Sequence, residues 1–475
     1  MKLYGLNDPW KRNDHYNFGG VVTTANAECL KATPLEDSKG VPHFCARGAD
    51  ENYLHFYRAH PPTILFAMWG WTNLFGPGEW AYRLFVAFFS TLNVALMFFI
   101  ARAARPESHI FGWATAAFQA VFLGNIYFAT HLDFIGEFTA FFVLATALAA
   151  LRRRMSLACG LGLCAGFSAW PGYIVFAPLW FYSILVGEGR KRVLLVALFG
   201  LVCALLTMMW LHQTTNIVEF LHAKLLDPGY IQKREKGWSE PFRFAHNFFT
   251  SQARMLSPLF AACAFFELIW GDGRELLLSI FRPRNWIRLT PFHHSVLLAG
   301  GTGLVYALIG HEYMMVHVYL YLLFTPALAL LCARFFERSF MANSVLGAAL
   351  EHRLAIAVLG VFFAAVYPYG IFQSNLVHDV MNSTMFILAS LMMIYFVKKK
   401  VAGSTPILSL IALSSLANFS QVVNYRNERD TERSFCNKAR TAFARTGKPV
   451  VTTEEDSIAK TYLYCVGIPV QYQSK

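Results

Sequence analysis

Long apolar stretches, separated by short polar connections, constrain this chain more than any other feature of its sequence. Crossing the hydrocarbon core of a bilayer, roughly 30 Å thick, takes about 20 helical residues. Only 15% of the residues are charged and 56% are hydrophobic, whereas soluble domains carry about 25% charged residues. The sequence predicts an all-α polytopic membrane protein and excludes an ordinary soluble enzyme. About 12 transmembrane helices are predicted, at 81–103, 109–131, 133–151, 155–169, 171–187, 192–213, 256–270, 295–310, 316–335, 353–372, 380–397 and 405–421.

Basic residues mark one side of the predicted membrane domain. Short loops rich in lysine and arginine face the cytoplasm, so the basic connections are predicted to be cytoplasmic and the alternate ones extracytoplasmic. This clustering explains the net charge of +12 without nucleic acid binding. The basic residues follow every second apolar segment, at Arg102 and Arg105, 152–154, 190–192, 274–288, 334–353 and 398–400.

Three regions follow from this topology. Residues 1–80 form an extracytoplasmic segment in which the aromatic stretch 64–75 predicts an amphipathic helix lying in the membrane interface. Residues 81–421 form the membrane domain, with a long basic extracytoplasmic loop at 214–255. Residues 422–475 form a small extracytoplasmic α/β tail, with a predicted strand at 449–453 and a further helix or strand pair ending at Tyr472.

Four cysteines lie in the two terminal segments. An extracytoplasmic location would allow Cys29 to pair with Cys45 and Cys436 with Cys465. Four unpaired thiols are the alternative, and the sequence leaves both open.

The first candidate site is the segment 10–20, which brings an acid, an imidazole and a phenol together beside a flexible glycine pair. Asp14 is flanked by His15 and Tyr16. A partly buried carboxylate at a membrane boundary can act as a general base when neighbours orient it. A helix N-cap or a solvated loop residue is the alternative for Asp14.

A second candidate lies at Arg58 and His60, directly before the paired prolines Pro61 and Pro62. A guanidinium offers a planar fork of donors to phosphate oxygens. The sequence therefore favours contact with a lipid phosphate. An arginine that extends to the interface and a solvated histidine are the alternative.

Read in order, these pieces resemble the GT-C superfamily of membrane glycosyltransferases. The resemblance is to the branch with lipid A aminoarabinose transferase and the glycosyltransferase family 39 relatives of protein O-mannosyltransferases. It covers residues 10–105. Its pieces are Asn13, Asp14, His15 and Tyr16, then His60, Pro61 and Pro62, then Leu74, Phe75 and Gly76, followed by 79–84.

The resemblance implies a polyprenyl-phosphate-linked sugar as donor, with its phosphate near Arg58 and His60, and an extracytoplasmic acceptor. It implies Asp14 as the catalytic base and a bacterial inner membrane location with the active site facing outward. Where the family often has a second acid, this chain has His15, which departs from any mechanism with paired carboxylates. The family's first helix has no counterpart here, so we expect either residues upstream of Met1 or an unaided crossing of the amino-terminal segment.

Two acids lie at the start of the predicted span 133–151. Asp133 and Glu137 are one helical turn apart, which predicts that they share a face. Acids within membrane helices are costly and usually functional, so both are predicted to bind substrate. A hydrogen-bonded pair that only fixes helix packing is the alternative.

The last candidate cluster is His311, Glu312 and Tyr313 at the mouth of a predicted span. It could bind sugar hydroxyls or the phosphate, and together with Asp14 it could hold a divalent cation. Interfacial anchoring is the alternative.

The predicted function is transfer of a sugar from a polyprenyl-phosphate donor to an extracytoplasmic hydroxyl on a lipid, glycan or protein, by inverting displacement. A transporter or flippase of lipid-linked saccharide is the alternative. Transporters usually carry internal repeats, and the sequence shows no convincing halves. No nucleotide-binding motif is found either, as expected for a donor that is already activated.

Overall fold

A computed structural model of the protein describes residues 15–45, 54–56, 60–76, 79–133, 135–212, 256, 258–281, 286, 289–309, 322–341, 445–447, 450–452 and 470–472. Helices dominate this part of the chain. They are α1 His15–Ala32, α2 Leu35–Ser38, α3 Thr63–Phe75, α4 Glu79–Ala104, α5 His109–Val121, α6 Leu123–Tyr127, a 3₁₀ turn Phe128–Thr130, α7 Glu137–Leu151, α8 Met155–Ser168, α9 Trp170–Tyr173, α10 Phe176–Leu185, α11 Arg190–His212, α12 Pro258–Trp270, α13 Arg274–Phe281, α14 Pro291–Ile309 and α15 Thr325–Met341.

Four short strands accompany these helices. β1 (His43–Cys45) pairs antiparallel with β2 (Leu54–Phe56), next to α1. β3 (Val450–Thr452) pairs in parallel with β4 (Val470–Tyr472). The strand predicted at 449–453 is therefore confirmed, and the element predicted to end at Tyr472 is a strand.

Three described helices are long and apolar enough to cross a membrane: α4, α11 and α14. The bent pair formed by α5 and the residues 123–130 would be a fourth span. Shorter apolar helices cover 137–151, 155–168 and 170–185. The predicted count of about 12 spans is not confirmed, because the last three predicted spans lie outside the described residues.

Helix α4 is the central support of the described bundle, and it packs against α3, α5, α7 and α14. Aromatic side chains fill these contacts. The ring of Phe89 lies 4.8 Å from that of Phe138 on α7, and Trp71 on α3 lies 5.6 Å from Phe85. With 26 residues, α4 is about 39 Å long at 1.5 Å per residue.

The span predicted at 109–131 is broken at Phe122, where the two helical parts meet at an angle of 63°. A break of this kind frees backbone groups that must find other partners. The side-chain amide of Asn125 donates to the carbonyl of Gln119 at 2.7 Å. That side chain therefore replaces a backbone hydrogen bond that a continuous helix would have made.

The predicted spans 155–169 and 171–187 are joined by a short, closely packed connection. Residues 170–173 form the one-turn helix α9, and α10 begins at Phe176. The approach of α9 to α8 is very close. A Cβ atom built on Gly172 would lie 1.9 Å from the carbonyl oxygen of Ala165, so only glycine fits there.

Charged residues meet where α4, α12 and α15 reach one end of the bundle. The Arg334 guanidinium lies 2.6 Å from Asp272 and 2.5 Å from Glu337, and Arg105 lies 3.6 Å from Glu337. Another guanidinium, that of Arg338, lies 3.2 Å from the buried Glu267 carboxylate. Three connections that the charge pattern assigned to one side of the membrane are thus together in space.

Residues before the first span also follow part of the prediction. The stretch 64–75 is helical, as α3. Cys29 is buried and disulfide-bonded, so four unpaired terminal thiols are excluded. The described cysteines of the membrane helices are free thiols, and the pairing of Cys29 with Cys45 stays a prediction.

Candidate functional site

A buried arginine organises the end of α4 opposite the charged cluster. Arg83 is only 2% exposed, and its Nη1 donates to the carbonyl oxygen of Thr130 at 3.0 Å. Thr130 ends the 3₁₀ turn, where backbone carbonyls lack helical partners. The guanidinium therefore stabilises the point at which the chain leaves its helical path.

Tyr82, next to Arg83 in the sequence, joins helix α1 to the same end of α4. The Tyr82 hydroxyl donates a short hydrogen bond to the carboxylate of Glu28 on α1. Helix α1 carries a buried polar side that includes Thr23, Thr24 and Asn26. It contacts α3 directly, and α3 contacts α4, so α1 and α3 pack on this end of α4 as one group.

His131 follows Thr130 and is also buried. Its Nδ1 lies 2.6 Å from the carbonyl oxygen of Tyr127, and its ring stacks on the Tyr127 ring at 4.2 Å. Because the carbonyl only accepts, Nδ1 carries the hydrogen in this contact. The ring is thereby fixed in orientation.

Asp133 lies in non-helical backbone, not in the helix predicted for it. Its side chain is half-buried, and its Oδ1 accepts from the backbone N–H of Ile135 at 3.2 Å. This local turn is typical of aspartate. Helix α7 begins only at Glu137, after Gly136, so the prediction that Asp133 and Glu137 share a helical face is wrong.

Glu137 is 3% exposed and bonds to α4 instead of to Asp133. Its Oε1 accepts from Ser90 Oγ at 2.8 Å, and its Oε2 accepts from Asn93 Nδ2 at 2.6 Å. The same amide nitrogen lies 2.9 Å from the Glu137 carbonyl oxygen. Both carboxylate oxygens therefore hold α7 against α4, which is a structural role that needs no ligand.

Residues 131–133, 135 and 136, which we call the mid-helix segment, connect the 3₁₀ turn to α7 between two contacts with α4. Arg83 holds Thr130 above the segment and Asn93 holds Glu137 below it. The two α4 residues are ten positions apart, or about 15 Å along the helix. Most of the described residues of this segment are buried, which is the condition under which non-helical backbone is tolerated within a membrane.

The other predicted site residues divide into two groups. His15 and Tyr16 occupy the first turn of α1, which continues through Gly19 and Gly20, so the predicted flexible glycine pair is wrong. His60 is half-buried directly before α3. Five predicted site residues lie outside the described part of the chain: Asp14, Arg58, His311, Glu312 and Tyr313.

Sequence reasoning missed the partners that hold this site. Arg83 entered only as part of a motif, although an arginine near the start of an apolar span is itself a signal. Nothing in the sequence pairs Ser90 and Asn93 with Glu137, which follows more than 40 positions later. For the residues that the structure describes, no group of three or more metal-ligating side chains is present.

Comparison with known proteins gives similarity in structure only. No protein-family model matches the sequence, and no curated protein sequence does. The structure of ArnT from Cupriavidus metallidurans in the apo state is 15% identical, with a TM-score of 0.53 over 95% of this chain and 80% of that one. The structure of the same protein bound to undecaprenyl phosphate is 14% identical, with a TM-score of 0.51 over 96% of this chain and 81% of that one. The chain therefore has a fold like that of ArnT, that of a polytopic integral membrane protein.

Proposed function

We propose that this chain is a membrane glycosyltransferase that takes a sugar from a polyprenyl-phosphate donor and passes it to an extracytoplasmic hydroxyl. The observation that carries the proposal is the shared fold over 96% of the chain with ArnT bound to undecaprenyl phosphate. ArnT is the lipid A aminoarabinose transferase, a GT-C glycosyltransferase. A fold shared along nearly the whole chain provides the same general frame for a lipid-linked donor.

The position of Asp133 supports the proposal. It is half-buried within the mid-helix segment, close in sequence to the buried Arg83 contact at Thr130. Intramembrane acids usually mark functional sites, and sugar hydroxyls suit a carboxylate acceptor. In this proposal Asp133 binds the sugar, whereas Glu137 supports the site through its bonds to α4.

The proposed reaction needs one base and a site for the departing phosphate. Asp14 takes the proton from the acceptor hydroxyl, and the oxygen attacks the anomeric carbon. The bond from that carbon to the phosphate oxygen breaks, and polyprenyl phosphate leaves with the electron pair, so the anomeric configuration inverts. Arg58 and His60 would stabilise the phosphate charge, as cations do in phosphoryl chemistry.

Five further residues complete the proposed site. His15 and Tyr16 would orient the acceptor beside Asp14. His311, Glu312 and Tyr313 would contact the sugar or the phosphate, and with Asp14 they could hold a divalent cation. Chelation with EDTA followed by addition of Mg²⁺ or Mn²⁺ would test the cation directly.

The proposal is tested by sugar transfer from a synthetic polyprenyl-phosphate donor by the purified chain in lipid vesicles. We expect wild-type turnover and a loss of about 10²- to 10⁴-fold in Asp14→Asn, the usual contribution of a general base. Asp37→Asn is the matched control, because Asp37 is an exposed acid of the same amino-terminal segment. Wild-type turnover by Asp14→Asn would remove Asp14 from the mechanism. Movement of lipid-linked sugar across the vesicle membrane without transfer would instead establish a transporter.

A further inference from the structure

We propose that this protein binds an anionic phospholipid of the bilayer at the end of α7 where α8 and α11 begin. The site is separate from the mid-helix segment, which lies at the other end of α7, and it does not depend on the proposed function. Its headgroup contacts are six basic residues, which we call the basic rim: Arg152, Arg153, Arg154, Arg190, Lys191 and Arg192.

The basic rim has far more positive charge than the nearby acids neutralise. All six side chains are exposed. One acid lies among them, Glu188, and it pairs with Arg192 at 3.1 Å. Within the described part of the chain, no ion pair involves the other five basic side chains. A ligand with at least one negative charge is therefore the complementary partner.

Tyr182 brings the two halves of the rim together. The Arg153 guanidinium carbon lies 5.8 Å from the centre of the Tyr182 ring, and the Tyr182 hydroxyl donates to the carbonyl of Ala150 at 3.2 Å. Tyr182 lies in the last turn of α10, directly before the connection 187–192. The connections 152–154 and 187–192 thus border one surface.

The backbone of the rim is strained in one connection and electrostatically unfavourable for cations in the other. Arg153 has φ of 58° at the end of α7, a left-handed position where glycine is the usual residue. Arg190, Lys191 and Arg192 occupy the first turn of α11, where the helix dipole repels positive charge. An anion between the two connections relieves the repulsion in the second of these.

An apolar wall begins directly beside the rim. Leu194, Leu195 and Leu198 follow Arg192 on α11 and are 58%, 63% and 46% exposed, and Leu157 on α8 is 49% exposed. Only 17% of the apolar window of α11 is buried within the protein. A phospholipid headgroup on the rim would leave its acyl chains along this wall, whereas free phosphate would use the rim alone. Arginine forks match phosphate oxygens, so the combination fits an anionic phospholipid.

The test is a binding titration of the purified full chain with phosphatidylglycerol and, separately, with phosphatidylcholine. Bound lipid is measured by native mass spectrometry. The test variant combines Arg152→Gln, Arg154→Gln and Lys191→Gln. Each basic residue near anionic headgroups contributes about fivefold to binding, so the triple variant is expected to bind phosphatidylglycerol roughly a hundredfold more weakly. Binding of phosphatidylcholine is expected to be weak and unchanged.

The matched control removes three exposed positive charges elsewhere, through Lys31→Gln, Lys39→Gln and Arg445→Gln. It is expected to keep wild-type binding, which separates a local site from an effect of net charge. Should the triple variant fail to fold, Lys191→Gln alone is expected to give about a fivefold loss. If the wild-type protein bound phosphatidylglycerol and phosphatidylcholine equally, the proposed site would be wrong. It would also be wrong if the triple variant and the control lost the same amount of phosphatidylglycerol affinity. Inorganic phosphate binding as tightly as phosphatidylglycerol would overturn the lipid assignment.

Discussion

Replacing Glu137 with alanine removes the carboxylate that joins α7 to α4, and the structure gives the expected cost. Two of the three hydrogen bonds at this contact end on that carboxylate, from Ser90 at 2.8 Å and from Asn93 at 2.6 Å. Hydrogen bonds between membrane helices contribute about 0.6 kcal/mol on average and up to about 1.7 kcal/mol. We therefore expect Glu137→Ala to lower the free energy of unfolding by about 1 to 3 kcal/mol.

Asn93→Ala provides the second side of a double-mutant cycle. Because Asn93 donates to Glu137, the two losses should not add. We expect the double variant to lose less than the sum of the single variants, by roughly 0.5 to 2 kcal/mol. Additive losses would show that the two side chains do not interact in the folded protein.

The measurement is reversible unfolding in mixed micelles of mild detergent and dodecyl sulfate, followed by circular dichroism. Thr146→Val is the matched control, since the hydrogen bond described for the Thr146 hydroxyl is to the Phe142 carbonyl of its own helix. That variant is expected to stay within about 0.6 kcal/mol of wild type, the average contribution of one hydrogen bond in a membrane protein. A Glu137→Ala protein as stable as the control would refute the reasoning.

Two further predictions use the same unfolding assay. Gly172→Ala should cost about 3 kcal/mol or more, because its Cβ would lie 1.9 Å from a backbone oxygen of α8, whereas Gly160→Ala meets nothing within 4 Å and should be close to neutral. Equal stability of these two variants would contradict the packing of α9 on α8. Arg334→Ala should cost about 2 to 4 kcal/mol, since it removes the shortest ion-pair contact of both Asp272 and the almost fully buried Glu337 and leaves them only the longer contacts with Arg338 and Arg105. A loss below 0.5 kcal/mol would place that ion pair in the class of exposed, weak ones.

Length and periodicity of apolar residues were enough to predict most of the described helices. The predicted spans 81–103 and 192–213 correspond closely to α4 and α11. Clustering of basic residues also predicted which connections share an end of the bundle, and the contact of Arg334 with Asp272 agrees with it. Both signals are local in sequence, so they need no knowledge of tertiary contacts.

The helix breaks could not be predicted, because distant or unexpected side chains stabilise them. Asn125 satisfies the carbonyl freed near Phe122, and Arg83 satisfies Thr130. In the sequence, the apolar residues continue across both helix breaks without a visible interruption. For the same reason Asp133 was assigned to a helix that begins four residues later, at Glu137.

The sequence predicted which residues lie at the candidate site better than it predicted the contacts that those residues make. Asp133 and Glu137 lie next to the α4 contacts at the candidate site, but their hydrogen-bond partners differ from those expected. Glu137 uses both oxygens on α4, which side-chain chemistry alone cannot foresee. The base predicted at Asp14 stays a prediction.

Contacts near both of its ends fix the position of α4 along its axis. Arg83 and Arg105 are 22 positions apart, which corresponds to about 33 Å along a helix. One guanidinium holds Thr130 and the other holds Glu337. Sliding α4 along its axis by a single turn, about 5.4 Å, would pull both contacts apart at once, so the mid-helix segment and the opposite charged cluster must keep a common register.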